Sequence, residues 1–478
     1  MSNDKGEVKG LIAAEDGPET AMKNEHDTAE RIVSRLTPWL REKITGASEI
    51  TISGIQKPGM GLSNETYLFD LAWDEGGARH EKGMVLRCPP ADHRVFPDYH
   101  LSHQYHIMKA LKGSPVPVPA MWGLEENENV IGTPFYLMER LRGTMPKDYP
   151  SYHGSGMLRE MTPHERSALW WDSLSALTEI HRMDWNSLGL EFLGVPGGGF
   201  DPLDRQLDYW TRYLEWTRDD PSERHPVLER ALEWLRENRY EPDRVSLCWG
   251  DARIGNMLYD ERTRKIVGVL DWEMAFLGDA EADLAWFIFI DSYLAEEYRL
   301  PRLEGLPGPD ETVRRYEEMT GRPVRHGRYN EIFAAMRFGM ILISVVKKLM
   351  RLGMHNYGDM IVNNHCTRTL ASVLGMPSPG EQPGAATSGD DGRLTVQFHL
   401  SGSGGGDWHI ISEDGRAERR EGIIDAPLCT VRSSFEDWRA LQSGELNQLD
   451  AWTTGRLKVE GDLNVMIRLK DDISRLQG

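Results

Sequence analysis

Two acidic residues and an asparagine follow short apolar stretches in the middle of the chain. Asp251 and Asn256 are five positions apart in Cys-Trp-Gly-Asp-Ala-Arg-Ile-Gly-Asn, and Asp271 follows Val-Gly-Val-Leu fifteen positions later. Phosphoryl transfer to a hydroxyl requires a carboxylate that accepts the proton and oxygen ligands that hold Mg²⁺ on nucleotide phosphates. The pattern therefore predicts Asp251 as a catalytic base, with Asn256 and Asp271 as metal ligands.

The spacing of Asp251 and Asn256 repeats the catalytic-loop pattern Asp-x-x-x-x-Asn of kinases, and an apolar strand before an aspartate matches their metal-binding segment. With these features the chain resembles the aminoglycoside phosphotransferase-like family of small-molecule kinases over about residues 32–374. The resemblance implies a two-lobed protein kinase-like fold, ATP and Mg²⁺ as cofactors, and a small-molecule alcohol as phosphate acceptor. The sequence contains no Walker A motif, so a P-loop nucleotide site is excluded.

A glycine-containing segment, Gly59-Met-Gly-Leu-Ser-Asn-Glu-Thr-Tyr, is implied by the resemblance to be the nucleotide loop. Gly59 and Gly61 let backbone N–H groups come close to phosphates, because glycine has no Cβ. Ser63 and Asn64 add side-chain donors. These four residues are therefore predicted to bind the phosphates of the cofactor.

Two further segments are implied to contact the nucleotide. Phe135-Tyr-Leu-Met-Glu-Arg-Leu corresponds to the adenine hinge, with Glu139 and Leu141 as cofactor-binding positions. Val-Leu-Arg-Cys-Pro-Pro places Arg87 where kinases have the strand lysine that contacts phosphates, and Gln104 stands where the glutamate partner of that lysine lies. Arginine can hold phosphate through two hydrogen bonds, although it does not replace lysine as a point charge. A structural ion pair is the alternative role for Arg87.

Trp249 occupies the position of the histidine in the common His-Gly-Asp form of the family, so we expect the polar anchor of the catalytic loop to be lost. The Val-Leu-Arg-x-Pro-Pro segment resembles the subfamily fused to some acyl-CoA dehydrogenases, which implies hydroxyacyl substrates. Two alternatives stay open. The departures at Arg87, Gln104 and Trp249 suggest a catalytically silent nucleotide- or lipid-binding module, and the net charge of −20 would favour an aminoglycoside-type antibiotic kinase.

Other polar residues near these motifs are interpreted as structural. Glu273, Asp279 and Asp283 follow the second motif on a loop and at a helix start, where acidic side chains usually cap helices. His181 lies in a helical stretch and is predicted to support the catalytic loop, since lone histidines seldom bind a metal ion.

The elements that must position these residues follow from the hydrophobic pattern. Apolar residues spaced by four from Ile32 to Ile44 predict a helix, and extended runs between residues 49 and 87 predict a small sheet with hairpins. The chain then becomes helical from about Pro163. Two short apolar strands within this helical part, 245–248 and 266–270, each end at an acidic segment.

A stretch rich in proline, glycine and serine at 375–390 predicts a flexible linker. The chain beyond it, 391–478, resembles a sterol carrier protein 2-like domain, most specifically in Trp452-Thr-Thr-Gly-Arg-Leu-Lys-Val-Glu-Gly. The resemblance implies a small α+β fold with a lipid or acyl ligand. A structural or dimerising module is the alternative.

The composition limits partners and location. A chain of 478 residues with a net charge of −20 is not expected to bind nucleic acid by neutralising phosphates. Its four cysteines lack CxxC spacing and are predicted to be reduced structural thiols. The first thirty residues contain no apolar signal region, and no segment is long enough to span a bilayer, so a cytoplasmic protein without a membrane span is expected.

The predicted fold class is α+β, a two-lobed protein kinase-like fold followed by a small α+β sterol carrier protein 2-like domain. The predicted boundaries are a disordered acidic tail at 1–27, the kinase-like domain at 28–374, the linker at 375–390 and the last domain at 391–478. The predicted activity is ATP- and Mg²⁺-dependent O-phosphorylation of a lipophilic hydroxyacyl or sterol-like alcohol.

Overall fold

The computed structural model describes residues 18–58, 63–90, 93–351, 355–379, 393–413, 416–443 and 455–461, together with 446, 451, 465 and 469. Within these ranges the chain forms a five-stranded sheet, a helical region with four short strands, and a second five-stranded sheet. The mixture of helices and strands confirms the predicted α+β class.

The first sheet has the strand order β1-β2-β3-β5-β4. Its strands are β1 (Ser48–Gln56), β2 (Glu65–Glu75), β3 (Ala78–Cys88), β4 (Met121–Glu125) and β5 (Phe135–Glu139). Every pairing is antiparallel, and Arg87 of β3 lies opposite Tyr136 of β5. Two helices belong to this part of the chain, α1 (Pro18–Lys43) and α2 (Leu101–Ala110).

Helix α1 packs on the first sheet through its buried residues Leu36 and Trp39. The indole N–H of Trp39 donates a hydrogen bond of 2.7 Å to the Glu125 carboxylate. A Cβ atom at Gly123 would lie 2.5 Å from the Trp39 ring, so only glycine lets the helix approach strand β4 this closely. The contact joins the helix to the edge of the sheet.

The predicted disordered tail is corrected in its last part, because α1 begins at Pro18 and residues 18–27 are helical. Proline is favoured in the first helical turn, and the alanine, glutamate, methionine and lysine residues that follow have high helix propensity. The apolar repeat from which the boundary was placed begins only at Ile32. Residues 1–17 of the predicted tail lie outside the described residues.

The helical part packs around a large apolar core that also contacts the first sheet through Val85, Tyr136 and Met138. Its helices are α3 (Met157–Glu160), α4 (Pro163–Arg182), α5 (Asp201–Thr217), α6 (Pro226–Glu237), α7 (Glu281–Glu296), α8 (Pro309–Thr320), α9 (Gly327–Arg351) and α10 (His365–Leu374). Helix α10 ends at Leu374, and the residue that caps it, Gly375, has a left-handed backbone conformation. The linker was predicted to begin at this residue. Residues 380–390 of that linker lie outside the described residues.

Four short strands in the helical part carry the motif residues. Strand β6 (Ser246–Cys248) pairs with β9 (Phe276–Gly278), and β7 (Met257–Tyr259) pairs with β8 (Ile266–Val269). The loop from β6 to β7 contains Asp251 and Asn256, and the loop from β8 to β9 contains Asp271. The Leu270 N–H donates to the Asn256 carbonyl over 3.0 Å, so the two loops lie side by side.

The C-terminal sheet has the order β12-β11-β10-β13-β14. Its strands are β10 (Leu394–Ser401), β11 (Gly406–Glu413), β12 (Arg416–Glu421), β13 (Cys429–Ser434) and β14 (Leu457–Gly461), and helix α11 (Phe435–Ser443) follows β13. Strand β10 was expected to be buried on one face, but Gln397 on the other face is also buried, with its amide group bonded to the Trp408 carbonyl and the Ile424 N–H. Residues 452–454 of the predicted motif lie outside the described residues.

All four cysteines are buried thiols that form no disulfide, as the sequence predicted. Burial raises the pKa of the Cys88 thiol to about 12, so this group is neutral at physiological pH. No helix in the described ranges is both long and apolar enough to cross a membrane.

His103 of α2 should make the protein less stable in mild acid. Burial, with the charges of His100 and His106, lowers the pKa of His103 to about 4, whereas an unfolded histidine has a pKa of ~6.5. The unfolded chain therefore binds more protons than the folded chain between these values, and the free energy of unfolding falls as the pH falls through this window. Melting temperatures at pH 7 and pH 5 test this. The fall in melting temperature from pH 7 to pH 5 should be smaller for His103→Gln than for the wild type. An equal fall would contradict the role of His103 in the loss of stability.

Candidate active site

Asp251 lies at the centre of the loop between β6 and β7, with its carboxylate held by three donors. The Asn256 amide donates to Oδ2 over 2.7 Å, the Arg253 Nε donates to Oδ2 over 3.1 Å, and the Trp286 indole N–H donates to Oδ1 over 2.9 Å. Burial and the charge of Asp271 raise the pKa of Asp251 to about 7. A fixed carboxylate with a pKa near neutrality can accept a proton from a hydroxyl.

The backbone before Asp251 is anchored by Asp283, which lies in α7 and is fully buried. Its two carboxylate oxygens accept the N–H groups of Trp249 and Gly250 over 2.6 and 2.9 Å. His181 lies 3.2 Å from the same carboxylate and 2.7 Å from the Tyr316 hydroxyl. Asp283 is thus a buried anchor and not the helix cap that the sequence suggested, because the fold turns it inward to the loop.

Trp249 keeps a polar anchor in the loop, so the expectation that the anchor is lost was wrong. Its indole N–H donates to the carbonyls of Leu270 and Asp271 over 2.9 and 3.1 Å. The ring is fully buried. An indole has one N–H donor on a large flat ring, so it can bridge to the neighbouring loop while it fills the core. This bridge ties the two motif loops together.

Asp271 has a φ of +60°, a left-handed conformation that non-glycine residues seldom adopt. Such strain occurs most often at functional sites. Its Oδ1 atom lies 3.6 Å from the Arg87 Nη2 atom and accepts no hydrogen bond in the described part of the chain. Burial alone would lower the pKa of Arg87, but the contributions of Asp271, Tyr136 and Glu273 together outweigh it and the pKa is raised. Arg87 and Asp271 form an ion pair between strand β3 and the second motif loop.

Glu273 joins the second motif loop to the predicted nucleotide loop. Its Oε2 atom accepts hydrogen bonds from the Ser63 hydroxyl over 2.6 Å and from the Asn64 amide over 2.5 Å. Burial and the charge of Asp271 raise the pKa of Glu273. Glu273 was assigned no definite role from the sequence, although its position two residues after an aspartate at a strand end was a signal for a second carboxylate in the site.

The other residues of the predicted nucleotide site lie in three places. Glu139 is the last residue of β5 and forms an ion pair of 3.5 Å with Lys82. Leu141 lies against Gly268 of β8, so a Cβ atom on residue 268 would lie 2.6 Å from the Leu141 side chain. Gln104 accepts a hydrogen bond of 3.1 Å from the Tyr136 hydroxyl, and its own amide nitrogen has no partner among the described residues. Gly59 and Gly61 lie outside the described residues.

Arg253 was not singled out by the sequence analysis, although it lies two positions after Asp251. Its Nε donates to Asp251, and its Nη1 pairs with Asp148 from the segment after β5. A Cβ atom at Gly255 would lie 2.7 Å from the Asp148 carboxylate, so the loop and this segment are in close contact. Arg253 therefore links the candidate base to the segment that follows the predicted hinge.

Aromatic side chains from residues 96–99 and from helix α5 form a cluster that we call the aromatic wall, made of Phe96, Tyr99, Tyr209, Tyr213 and Trp216. The Phe96 ring lies 6.2 Å from Tyr99 and 5.9 Å from Tyr213, and the Tyr213 ring lies 5.6 Å from Trp216 and 6.3 Å from Tyr209. Phe96 and Tyr213 are buried, Tyr99 and Tyr209 are half-buried, and Trp216 is 40% exposed. Burial raises the pKa of Tyr99 and of Tyr209, and the charge of Glu273 contributes to both. The wall thus reaches solvent at Trp216, and two of its rings lie within the influence of the Glu273 charge.

The unpaired polar atoms of the site fit a phosphate group together with a divalent cation. Three buried polar atoms of the site have no hydrogen-bond partner among the described residues: Asn64 Oδ1, Arg87 Nε and Asp271 Oδ1. Buried polar atoms are usually paired, so these atoms are available to a ligand. The described residues include no group of three or more His, Cys, Asp or Glu side chains that could hold a metal ion. Mg²⁺ is commonly bound by one or two carboxylates plus substrate phosphates, and Asn256 and Asp271 could supply the protein ligands.

Comparison with known proteins gives two family matches. Residues 54–316 match the phosphotransferase enzyme family, and residues 390–473 match the SCP-2 sterol transfer family. The chain is 31% identical over 298 residues to acyl-CoA dehydrogenase family member 10 of Mus musculus and 31% identical over 261 residues to acyl-CoA dehydrogenase family member 11 of Gallus gallus. These alignments cover 60% and 54% of this chain but 26% and 30% of those proteins, so the chain spans about a quarter of the length of the curated relatives it matches.

A solved structure supports the fold. It is a protein from Ralstonia eutropha JMP134 described as an aminoglycoside phosphotransferase, with a TM-score of 0.53 and 24% identity, covering 71% of this chain and 96% of that chain. The two family matches confirm the resemblance stated from the sequence motifs for both parts of the chain. Because residues 54–316 are more than half of its 478 residues, the chain belongs to the phosphotransferase enzyme family and carries a C-terminal domain of the SCP-2 sterol transfer type.

Proposed function

We propose that this protein is a kinase that transfers a phosphoryl group from ATP, with Mg²⁺, to the hydroxyl of a lipophilic small molecule such as a hydroxyacyl thioester or a sterol-like alcohol. The observation that carries the proposal is the setting of Asp251, whose carboxylate is oriented by three donors and has a pKa of about 7. Such a group combines fixed geometry with proton affinity suited to a general base.

In this proposal the acceptor hydroxyl would lie against Asp251, which accepts its proton as the new O–P bond forms, while the bond from the γ-phosphorus to the bridging oxygen breaks and ADP leaves. When bound, Mg²⁺-ATP supplies the phosphoryl group and the positive charge that offsets the phosphate oxygens. Asn256 and Asp271 would hold the cation, and Arg87 would face the phosphates as a donor of N–H groups. Ser63 and Asn64, whose side chains donate to Glu273, would lie beside the phosphates. Gly59 and Gly61 keep their predicted role at the phosphates, and the predicted hinge residues Glu139 and Leu141 would bind the adenine.

The aromatic wall supports a lipophilic acceptor. Aromatic side chains bury large apolar areas, so a ring system or an acyl chain would gain free energy by leaving water for the partly exposed rings of Tyr99, Tyr209 and Trp216. The C-terminal match to the SCP-2 sterol transfer family points to a lipid ligand in the same chain, and the curated relatives are named as acyl-CoA dehydrogenases. These observations together favour a hydroxylated acyl or sterol-like compound.

The two alternatives have less support. A silent binding module was suggested by Trp249, Gln104 and Arg87, yet Trp249 still bridges the motif loops. An aminoglycoside kinase is favoured only by the net charge of −20, which is a property of the whole chain and not of the site.

The test is ATP consumption with a panel of hydroxy acids, hydroxyacyl-CoA thioesters, sterols and aminoglycosides, in Mg²⁺ and in its absence with a chelator. Mass spectrometry must find the phosphate on the acceptor oxygen, because ATP hydrolysis alone would not establish transfer. We expect a lipophilic alcohol to be phosphorylated in Mg²⁺ only. Kanamycin turning over faster than every lipophilic alcohol would overturn the substrate class, and no transfer to any acceptor would favour the silent module.

Deleting residues 388–478 should raise KM for the lipophilic substrate with little change in kcat. If the predicted linker at 375–390 is flexible, a chain of its length has an r.m.s. span of ~20 to 25 Å, and a carrier domain on it would keep its ligand at a high effective concentration near the site. Steady-state kinetics of the full chain and the truncated chain measure the effect. A water-soluble acceptor from the panel is the control, since its KM should be equal in both chains. Equal KM values for the lipophilic substrate would contradict a delivery role.

A further inference from the structure

Arg337 is an arginine with almost no solvent exposure that the proposed reaction does not use directly. It lies in α9, is 1% exposed, and its guanidinium lies over the rings of Trp286 at 4.5 Å, Phe333 at 5.1 Å, Trp210 at 5.4 Å and Phe276 at 5.6 Å. Burial lowers the pKa of Arg337 to about 10, so the group stays charged at neutral pH. A buried charge is costly, and aromatic faces offset only part of the cost.

The guanidinium makes one hydrogen bond within the described residues, and that bond is made to the backbone next to the candidate base. Arg337 Nη2 donates to the Gly250 carbonyl over 2.6 Å, whereas its Nε and Nη1 atoms have no partner there. Gly250 has a φ of +87°, and a Cβ atom at this position would lie 2.0 Å from the Met274 carbonyl oxygen. The peptide before Asp251 is therefore held in a conformation that only glycine can adopt in this space.

Arg337 is also linked to Asp251 by a second route, through the side chain of Trp286. The ring of Trp286, which is the aromatic ring nearest to the guanidinium in this cluster, donates its indole N–H to Asp251 Oδ1 over 2.9 Å. Arg337 thus contacts both the carbonyl that precedes the base and the side chain that orients its carboxylate. Asp283 holds the two peptide groups that precede this carbonyl, through the N–H groups of Trp249 and Gly250.

We propose that Arg337 is a positioning residue for phosphoryl transfer, which fixes the Gly250 carbonyl and the Trp286 indole and so holds the Asp251 carboxylate in its reactive orientation. This inference rests on the proposed function. A base displaced by about 1 Å can lose roughly 100-fold in rate, so loss of the guanidinium should act on kcat and leave binding of both substrates intact.

The main variant is Arg337→Met, which removes the charge and the donors and keeps an apolar side chain in the aromatic cluster. We expect kcat to fall about 10- to 100-fold with KM for ATP and for the acceptor within about twofold of the wild type. Arg337→Lys keeps one cationic donor for Gly250 and should recover part of kcat. Trp286→Phe, which removes only the second route, should also lower kcat. A folded Arg337→Met protein with the wild-type kcat would overturn the proposal.

A matched control separates positioning from general loss of a buried arginine. Arg166 of α4 is also buried, and its guanidinium donates to the carbonyls of Leu158, Arg159 and Glu304, which lie outside the site. Arg166→Met should lower the melting temperature without a specific loss of kcat. A loss of kcat as large as that of Arg337→Met would make the effect a general one and overturn the proposal.

Amide hydrogen exchange gives a readout that does not depend on activity. In Arg337→Met the amides of residues 247–256 should exchange at least about tenfold faster than in the wild type, because the peptide loses its donor, and Arg166→Met should leave them unchanged. If the wild type phosphorylates no acceptor, the proposed function fails. Amide hydrogen exchange in residues 247–256 then remains as the test of whether Arg337 positions this loop. Unchanged exchange in a folded Arg337→Met protein overturns the positioning role. If Arg337→Met does not fold, the same measurements of kcat and amide exchange are made on Arg337→Lys and Trp286→Phe.

Discussion

Replacing Asp251 by asparagine should lower turnover at least ~100-fold while ATP still binds. Asparagine has nearly the same shape and can still accept the Trp286 indole N–H at its oxygen, but it cannot take a proton from the acceptor hydroxyl. A positioned general base contributes roughly 10²- to 10⁴-fold to the rate of such reactions. The measurement is kcat with the best acceptor of the panel, together with calorimetric titration of ATP in the presence of Mg²⁺.

The control for this variant is Asp291→Asn. Asp291 is a buried carboxylate of α7 that accepts hydrogen bonds from Tyr152 and Arg302 and lies 3.3 Å from His153, away from the motif loops. Its replacement should reduce stability, since a buried ion pair loses one partner, without a comparable loss of kcat. Turnover of Asp251→Asn within a few-fold of the wild type would remove Asp251 from the role of base.

Replacing Asp271 should weaken binding of Mg²⁺-ATP by at least about tenfold, which is ~1.4 kcal/mol. Its Oδ1 atom is buried without a hydrogen bond among the described residues, and the carboxylate is a preferred ligand for Mg²⁺. Removing it also leaves Arg87 without its ion-pair partner at 3.6 Å. Calorimetry of nucleotide binding with and without Mg²⁺ measures the loss.

The choice of substitution matters because Asp271 has a φ of +60°. Alanine would add backbone strain of about 1 kcal/mol, whereas glycine adopts this conformation freely. Asp271→Gly therefore isolates the loss of the carboxylate, and the difference between the glycine and alanine variants measures the strain. If Asp271→Gly binds Mg²⁺-ATP as the wild type does, the metal assignment is wrong. A loss of affinity for ATP that is equal with and without Mg²⁺ would instead indicate a role through Arg87.

Residues in short sequence motifs were the part of the site that the sequence could predict. Asp251 and Asn256 lie in one loop of eight residues, 249–256, so their spacing predicts that they are close together, and they are bonded over 2.7 Å. His181 was expected to support the loop, and it contacts Asp283, which holds the loop backbone. The catalytic, cofactor and metal roles of these residues stay predictions that the variants above test.

Contacts across long sequence separations were not predicted. Glu273 meets Ser63 and Asn64 across about 210 positions, and Arg337 meets Gly250 across 87. The local sequence around each of these residues suggests only an ordinary structural role. Only the packing of the first sheet against the helical part gives them a shared function.

The sequence by itself determined the family, the two kinds of domain and the loops that carry the motif, because these depend on local spacing and on hydrophobic periodicity along the chain. The tertiary structure decided how the loop is anchored after histidine is replaced by Trp249, and which buried charges surround Asp251. The physical reason is that the burial and the pairing of a charge depend on groups from distant segments, and the pKa of Asp251 near 7 follows from burial and from Asp271 on another loop.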